Sequence, residues 1–357
     1  MSKRLPMYRI IKNFILEQIR SGELKPDDRV PSEKELMNTF NVSRITVRRA
    51  LDELAAEGYI YRLQGVGAFV HEHPVRKART NLIGVLITPV SDYLSVGILR
   101  GMERYLDKLG FHPVVQFSTG DPEKESERIQ KLRNLNVQGF IIMPHERSLQ
   151  SQEMRSIMSE GIPVVFVDRA IDGLKGPSVT SDNKKGGYDL VAHLIEVHGS
   201  KRIAFVTWEG TNVSSVRDRY LGGLQAAKNL GAQMDLVMCE KEDLQRITER
   251  LSSYDSIFAC TDLIAAELMV NFEVNGIKIP DEIRIVGFDD RPFSRYIDPP
   301  LTTVHQFPEE IGKKASAILM ALLNGETVTE DEHLVPVELV IRSSCGCAGV
   351  APSIKNA

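Results

Sequence analysis

Residues 31–54 read PSEKELMNTFNVSRITVRRALDEL, and this stretch decides how the N-terminal part folds. Ser32 is a good N-cap, and Glu35 three positions on completes a capping box. Leu36 and Phe40 give the helix that follows its buried side. Asn41-Val42-Ser43 is a short turn, and a further helix starts at Ser43. Val47, Ala50, Leu51 and Leu54 form its apolar stripe, while Ile45 lies off it. Its first two turns instead expose Arg44, Thr46, Arg48 and Arg49. Two helices joined by a tight turn, the second opening on Arg and Thr, make a helix-turn-helix. Arg reads guanine edges bidentately, and Thr contacts phosphate or a thymine methyl.

The surroundings extend this reading. Ile10, Ile11, Phe14, Ile15 and Ile19 recur at helical spacing over 8–20, and Gly22 and Pro26 break that helix. Gly58 ends the third helix. YIYRLQGVGAFV, from Tyr59, reads as two strands around Gln64-Gly65-Val66-Gly67, a wing. Gly65 and Gly67 resemble part of a phosphate loop, but no helix opens after them, so the nucleotide reading fails its context.

Charge divides with the domains. Residues 1–80 hold 15 Lys/Arg against 10 Asp/Glu, and the remainder 29 against 38, within a net charge of −4. A basic head on an acidic body suits local phosphate neutralisation, because screening confines the attraction to about 10 Å. No apolar run reaches the roughly 20 residues that span a bilayer, and the first ten residues lack the apolar core of a secretory signal. The expected location is the cytoplasm. Cys239, Cys260, Cys345 and Cys347 show no zinc-finger spacing and read as incidental free thiols; His71 and His73 read as linker residues. No metal site and no cofactor is expected. No GxSxG elbow, HExxH pair, Walker loop or dinucleotide fingerprint points to an enzyme.

After a polar, basic linker with Pro74, strands and helices alternate from residue 81 to the FDD at 288–290. Continuous apolar strands in that alternation mean parallel sheets covered on both faces, and there are enough units for two lobes. The fold class is α/β: a two-lobed sensor of parallel sheets behind a winged helix-turn-helix. Ligands of such sheets bind beyond the carboxyl ends of strands. That singles out Thr88 to Tyr93, Asp168, Arg169, Thr261, Asp262, Asp289 and Asp290. Asp182 and Asp262 also stand where helices begin, as N-caps would. Asp290 can satisfy backbone amides in its turn, and Trp208 can stack a sugar ring or cover a sheet edge.

Residues 6–70 closely resemble the gluconate-repressor (GntR) family, through the PSE-EL and VSR-TVR-AL patterns and the Gly-x-Gly wing. The resemblance implies Ser32 and Lys34 at the DNA backbone. It implies Ser43, Arg44, Thr46 and Arg48 in the major groove, and Gln64 and Gly65 in the minor groove. Residues 81 to about 345 resemble the lactose/galactose-repressor (LacI/GalR) sensor, akin to periplasmic sugar-binding proteins. The strings are SVTSDNKKGGYDLVAHLIEVHGSKRIAFV, RDRYLGGLQAA, IPDEIRIVGFDDRPFSRYIDPPLTTV and ELVIRSS. This implies that Arg219 and Asp289 hydrogen-bond effector hydroxyls. Asp168, Ser181, Asp92 and Tyr93 would line the first lobe's side, Thr261 would stand where many members carry Asn, and Leu301 would pack against the ligand.

The implied boundaries are 1–72 for the head and 73–80 for the linker. Lobe one takes 81–180 with about 297–326, lobe two 181–296 with about 327–345, and 346–357 form a tail. Lobe crossings near 180, 297 and 326 imply hinge closure. The combination resembles the arabinose-repressor family of Firmicutes. It implies a homodimeric repressor of carbohydrate-utilisation genes on palindromic double-stranded operator DNA, with a small sugar, L-arabinose or another pentose, between the lobes. A purine-like effector, or activation in place of repression, is the alternative.

Overall fold

The computed structural model describes residues 6–347, except 57, 64–65, 72–79, 90–92, 172, 175, 209 and 240–243. The chain divides into two compact units, Met1–Thr80 and Asn81–Ala357. The expected linker, 73–80, lies outside the described residues apart from Thr80.

In the first unit, helices α1 (Met7–Arg20), α2 (Glu33–Phe40) and α3 (Arg44–Ala56) precede the antiparallel hairpin β1 (Ile60–Leu63) and β2 (Gly67–Val70). The capping box forms in full: Glu35 N donates to Ser32 Oγ at 3.3 Å, and Ser32 N to Glu35 Oε2 at 2.6 Å. Asn41 turns the chain in the left-handed region, φ 49°. Ser43 Oγ then accepts from Thr46 N at the start of α3. Val47, Ala50, Leu51 and Leu54 are buried with Ile11, Ile15, Leu36, Ile60 and Val70, and Ile45 is 80% exposed, as the periodicity requires. Ile10 departs from expectation. It is exposed, and Leu16 is buried instead: the two flank the Ile11–Ile15 face on opposite sides, and the core of the head covers the Leu16 flank.

The second unit is the expected pair of parallel sheets. The first has six strands in the order β13-β7-β6-β5-β3-β4: β3 (Leu82–Ile87), β4 (His112–Phe117), β5 (Phe140–Ile142), β6 (Val164–Val167), β7 (Ser178–Ser181) and β13 (Glu332–Val335). It carries α4 (Tyr93–Asp107), α5 (Pro122–Asn134), α6 (Gln152–Ser159) and α11 (Pro308–Leu323). The second has four, β11-β10-β8-β9: β8 (Arg202–Thr207), β9 (Gln233–Met238), β10 (Ser256–Ala259) and β11 (Arg284–Val286). Around it lie α7 (Asn183–Glu196), α8 (Ser214–Leu230), α9 (Leu244–Leu251) and α10 (Asp262–Val274), with the antiparallel pair β12 (Thr303–His305) and β14 (Glu338–Val340). Separate apolar cores fill the two lobes.

The chain first passes between lobes at Asp182, close to the expected 180. The other two crossings differ. The chain returns at 306–307, between β12 and α11, and passes over again at 336–337, between β13 and β14. The expected positions, near 297 and 326, fall earlier. Strand β12 stays with lobe two by pairing with β14, and β13 adds an edge to the lobe-one sheet by pairing with β7. Such long-range pairings leave no local mark in the sequence.

Candidate functional site

On the head, the structure gathers Arg44 and Arg48 on one face of α3. Both reach Glu33 at the first position of α2, Arg44 Nε at 2.7 Å and Arg48 Nε at 3.1 Å. The hydrogen bond from Arg44 does most to hold the Glu33 carboxyl below the usual carboxylate range, with Arg48 adding to it. These pairs are exposed and weak, and they leave both guanidiniums at the surface. Arg49 is not brought to the same place. Its guanidinium lies 4.0 Å over the Tyr8 ring and 3.7 Å from Glu53, because one residue further on is about 100° round the helix. Lys34 is exposed and Ser43 Oγ lies 3.0 Å from Thr46 Oγ1. Arg29 donates to Val66 O at 2.9 Å and ties the chain before α2 to the hairpin turn. Gln64 and Gly65 lie outside the described residues.

In the second unit a cavity of about 300 Å³ opens between the lobes. Lobe one contributes Thr88, Leu94, Asp168 and Arg169. Lobe two contributes Thr207, Trp208, Ser215, Val216, Arg219, Cys260, Thr261, Leu263, Ile264, Asp289 and Arg291. Four of the expected effector residues therefore meet there: Asp168, Arg219, Thr261 and Asp289. Asp168 and Asp289 have φ of 69° and 121°, which places both in the left-handed region. Backbone strain of this kind is concentrated at binding sites.

Arg219 is held from three sides. Its Nε donates to Asn183 Oδ1 at 2.9 Å, its Nη1 to Cys260 O at 2.8 Å, and its guanidinium stacks 3.9 Å from the Phe288 ring centre. Nη1 also stands 3.4 Å from Asp289 Oδ1. This placement needs α7 and α8 to touch. Gly187 lies against the Arg219 backbone and Gly222 against that of Lys184, where any Cβ would collide with a carbonyl. The GGY and GG pairs of the sequence are therefore what let Arg219 reach the cleft.

The remaining expected residues stand elsewhere. Leu301 is fully buried in the lobe-two core. Tyr93 is 39% exposed at the start of α4 and does not line the cavity. Asp92 lies outside the described residues. Ser181 is buried at the first crossing, where its Oγ donates to Gln306 Oε1 at 2.6 Å, and Gln306 Nε2 donates to Asp289 Oδ1 at 2.7 Å. Ser181 thus connects the first lobe crossing, through Gln306, to Asp289 in the cavity wall. Gln306 escaped sequence reasoning because the crossing was placed too early. Trp208 lines the cavity.

Asp182 caps α7 as expected, accepting from Lys185 N at 2.9 Å. Asp262 does not cap α10, since Thr261 does. The Asp262 carboxylate turns inward to accept from Ser294 Oγ at 2.6 Å, Thr303 Oγ1 at 2.5 Å and Arg291 N at 2.8 Å. Asp290 binds side chains, not turn amides: Arg342 Nη2 at 2.6 Å and His305 Nδ1 at 3.0 Å. Burial alone would raise the Asp290 carboxyl, but His305 and Arg342 hold it below its ordinary value.

Burial, then the charge of Asp289, push the Asp262 carboxyl up to about 7. The native state then binds a proton that the unfolded chain, at 3.8, has released. The resulting stabilisation is full below about pH 4 and is lost as pH rises to about 7. Scanning calorimetry across this window is expected to show that slope. Asp289→Asn, which removes the neighbouring charge, is expected to end the loss at a lower pH. An identical profile in the variant rules out the coupling between the two carboxyls.

Two family descriptions match the chain: bacterial regulatory proteins of the gntR family over residues 7–70, and a periplasmic-binding-protein-like domain over 191–345. The arabinose metabolism transcriptional repressor of Geobacillus stearothermophilus is 31% identical over 96% of this chain and 98% of its own. The chain belongs to the family of arabinose metabolism transcriptional repressors. Like its relatives, this repressor is a DNA-binding transcription regulator and not an enzyme. Solved structures agree with the sensor fold. A LacI-type regulator from Alkaliphilus metalliredigens QYMF in complex with D-xylulofuranose matches at TM-score 0.63 and 25% identity, over 74% of this chain and 99% of that one. A LacI-family regulator from Enterococcus faecium with bound ribose matches at TM-score 0.63 and 25% identity, over 74% and 98%. No helix among the described residues is long and apolar enough to cross a membrane.

Proposed function

We propose that the cleft takes a pentose, and that pentose binding alters the affinity of a homodimer for a palindromic operator. The observation that carries this is the meeting, in one small cavity between the lobes, of a buried Arg219–Asp289 pair with the Trp208 indole. Sugar hydroxyls both donate and accept, so a fixed carboxylate and guanidinium serve adjacent hydroxyls while an aromatic face covers the C–H side. A cavity of about 300 Å³ is at the small end for ligand sites. The relatives with ribose and xylulofuranose support a five-carbon ligand. Asp168 and Arg169 face this pair from the other lobe, so a bound sugar stabilises closure. On the head, Arg44 and Arg48 read bases, Ser32, Lys34, Ser43 and Thr46 engage backbone or groove, and Arg49 supports α3 from behind.

Trp208 is the single tryptophan of the chain, so its emission reports on the cleft directly. Titration with L-arabinose, D-ribose and D-xylose is expected to give a saturable change for at least one of them, and operator affinity by anisotropy to change at the same concentrations. Saturation by hexoses or purines alone overturns the pentose reading. Sedimentation equilibrium is expected to give twice the 40.0 kDa chain mass.

The hinge link makes a separate prediction. Gln306→Leu disconnects Asp289 from Ser181 without touching the cavity wall. The ratio of operator affinities with and without sugar, typically worth about 1–3 kcal/mol, is expected to fall towards one, while the sugar affinity changes less. An unchanged ratio removes Gln306 from the coupling.

A further inference from the structure

At the end of α7 far from the cleft, four side chains converge that the functions above do not use. His193 belongs to the last turn of α7, and His198 follows shortly after it. Cys345 and Cys347 come from the segment beyond β14. The nitrogen and sulfur atoms of all four lie within 4.8 Å of one another. His193 Nε2 stands 3.5 Å from Cys345 Sγ and 3.6 Å from Cys347 Sγ, and His198 Nε2 stands 3.4 Å from Cys347 Sγ. We propose that His193, His198, Cys345 and Cys347 form a closed tetrahedral metal site of zinc type that fastens the C-terminal segment to α7 of lobe two.

The distances carry the argument. Bond lengths of about 2.3 Å to sulfur and 2.0–2.1 Å to nitrogen, at tetrahedral angles, put neighbouring N and S donors about 3.6 Å apart. Three of the four N to S separations are 3.5, 3.6 and 3.4 Å, and the fourth, between His198 and Cys345, is within 4.8 Å. Hydrogen bonding explains less of this. One imidazole nitrogen accepts one S–H, yet His193 Nε2 faces two sulfurs at nearly equal range. The two imidazole rings meet edge to face, with centroids 5.1 Å apart, which aims both Nε2 atoms at the thiols.

The chain around the cluster is built to present it. Gly346 has φ 100°, and this left-handed turn between the cysteines brings both sulfurs to one side. A Cβ there would meet Arg284 and His198 only at ordinary contact distance, 3.5 Å, so the backbone conformation and not space calls for glycine. Ser344 Oγ donates to Ile285 O at 2.6 Å and accepts from Thr302 N at 2.9 Å, which pins the segment to β11. Thr302 Oγ1 stands 3.2 Å from Cys345 Sγ, a hydrogen bond of the kind that orients a metal-bound thiolate. Cys345 and His193 are buried, and Cys347 and His198 half-buried. Four protein donors leave no position for a substrate, so the role is structural. Metal binding releases the two thiol protons, and two thiolates with two neutral imidazoles balance the charge of a divalent ion. Helix α7 then spans two fixed ends: its start holds Asn183 against Arg219, and its end holds the metal. The expectation of incidental thiols rested on the two cysteines alone. The histidines lie about 150 positions away in the chain and only the fold supplies them.

The test uses the full chain, reduced and stripped with a chelator, then titrated with cobalt(II) and with zinc(II). One cobalt per chain is expected, with the strong visible bands of a tetrahedral ion, a thiolate-to-cobalt charge-transfer band, and displacement of both by zinc. Protein purified without chelator is expected to hold one zinc per chain by plasma mass spectrometry. Cys347→Ser and His198→Asn each change a half-buried ligand, and each is expected to weaken cobalt binding at least about 10-fold. Weak octahedral bands, substoichiometric metal, or a Cys345–Cys347 disulfide in protein purified without oxygen overturns the proposal. So does unchanged cobalt binding in the double variant. The wild-type spectrum decides the coordination whether or not a variant folds.

Discussion

Asp289→Asn is expected to weaken sugar binding about 10- to 100-fold and to leave sugar-free operator binding unchanged. The carboxylate lines the cleft, accepts from Gln306, and stands 3.4 Å from both Arg219 and Arg291. Hydrogen bonds to a charged group are worth about 1.5–3 kcal/mol, and asparagine keeps the shape while losing the charge. Asp289→Ala is a harsher change. It leaves Arg219, which is 4% exposed, without its carboxylate, and such a loss costs about 3–5 kcal/mol of stability. The asparagine variant therefore isolates recognition, and the alanine variant measures what the ion pair does for the lobe. Trp208 emission gives the first readout and denaturant unfolding the second. Wild-type sugar affinity in Asp289→Asn removes this residue from the site.

Arg44→Ala and Arg48→Ala are each expected to lower specific operator affinity by about 1–3 kcal/mol and to leave sugar binding intact. Both side chains are exposed on the same face of α3, and both are pre-aligned by Glu33. Arg49→Ala is expected to act differently. That guanidinium packs on Tyr8, so its loss loosens α1 from α3 and lowers stability more than base discrimination. Lys34→Ala is expected to weaken binding to all sequences alike and to reduce the salt slope by about one ion. Anisotropy titrations on operator and scrambled duplexes, at several salt concentrations, separate these outcomes. Equal losses for Arg44→Ala on both duplexes assign it to phosphate instead of bases.

Local patterns carried most of the architecture. The capping box at Ser32 and Glu35, the buried stripe of α3 and the exposed Arg44 and Arg48 all follow from 3.6-residue periodicity and short-range hydrogen bonding, which depend only on near neighbours. Strand and helix alternation from residue 81 implied parallel sheets, and the rule that ligands sit beyond strand ends singled out Asp168, Thr261 and Asp289. What the sequence determined by itself is therefore the head, the layered sensor and the strand-end residues of the cleft. Tertiary structure decided the rest. The pairing of β12 with β14 and of β13 with β7 moved two crossings. It turned Ser181 from an expected lining residue into a contact at the lobe crossing and brought in Gln306. Asp262 left its expected cap because buried hydroxyls from residues 294 and 303 offered it better partners than a helix amide. His193 and His198 joined Cys345 and Cys347 across the whole of lobe two. In each case the decisive contact joins residues far apart in sequence, whose meeting depends on how sheets and helices pack, and no local spacing encodes that.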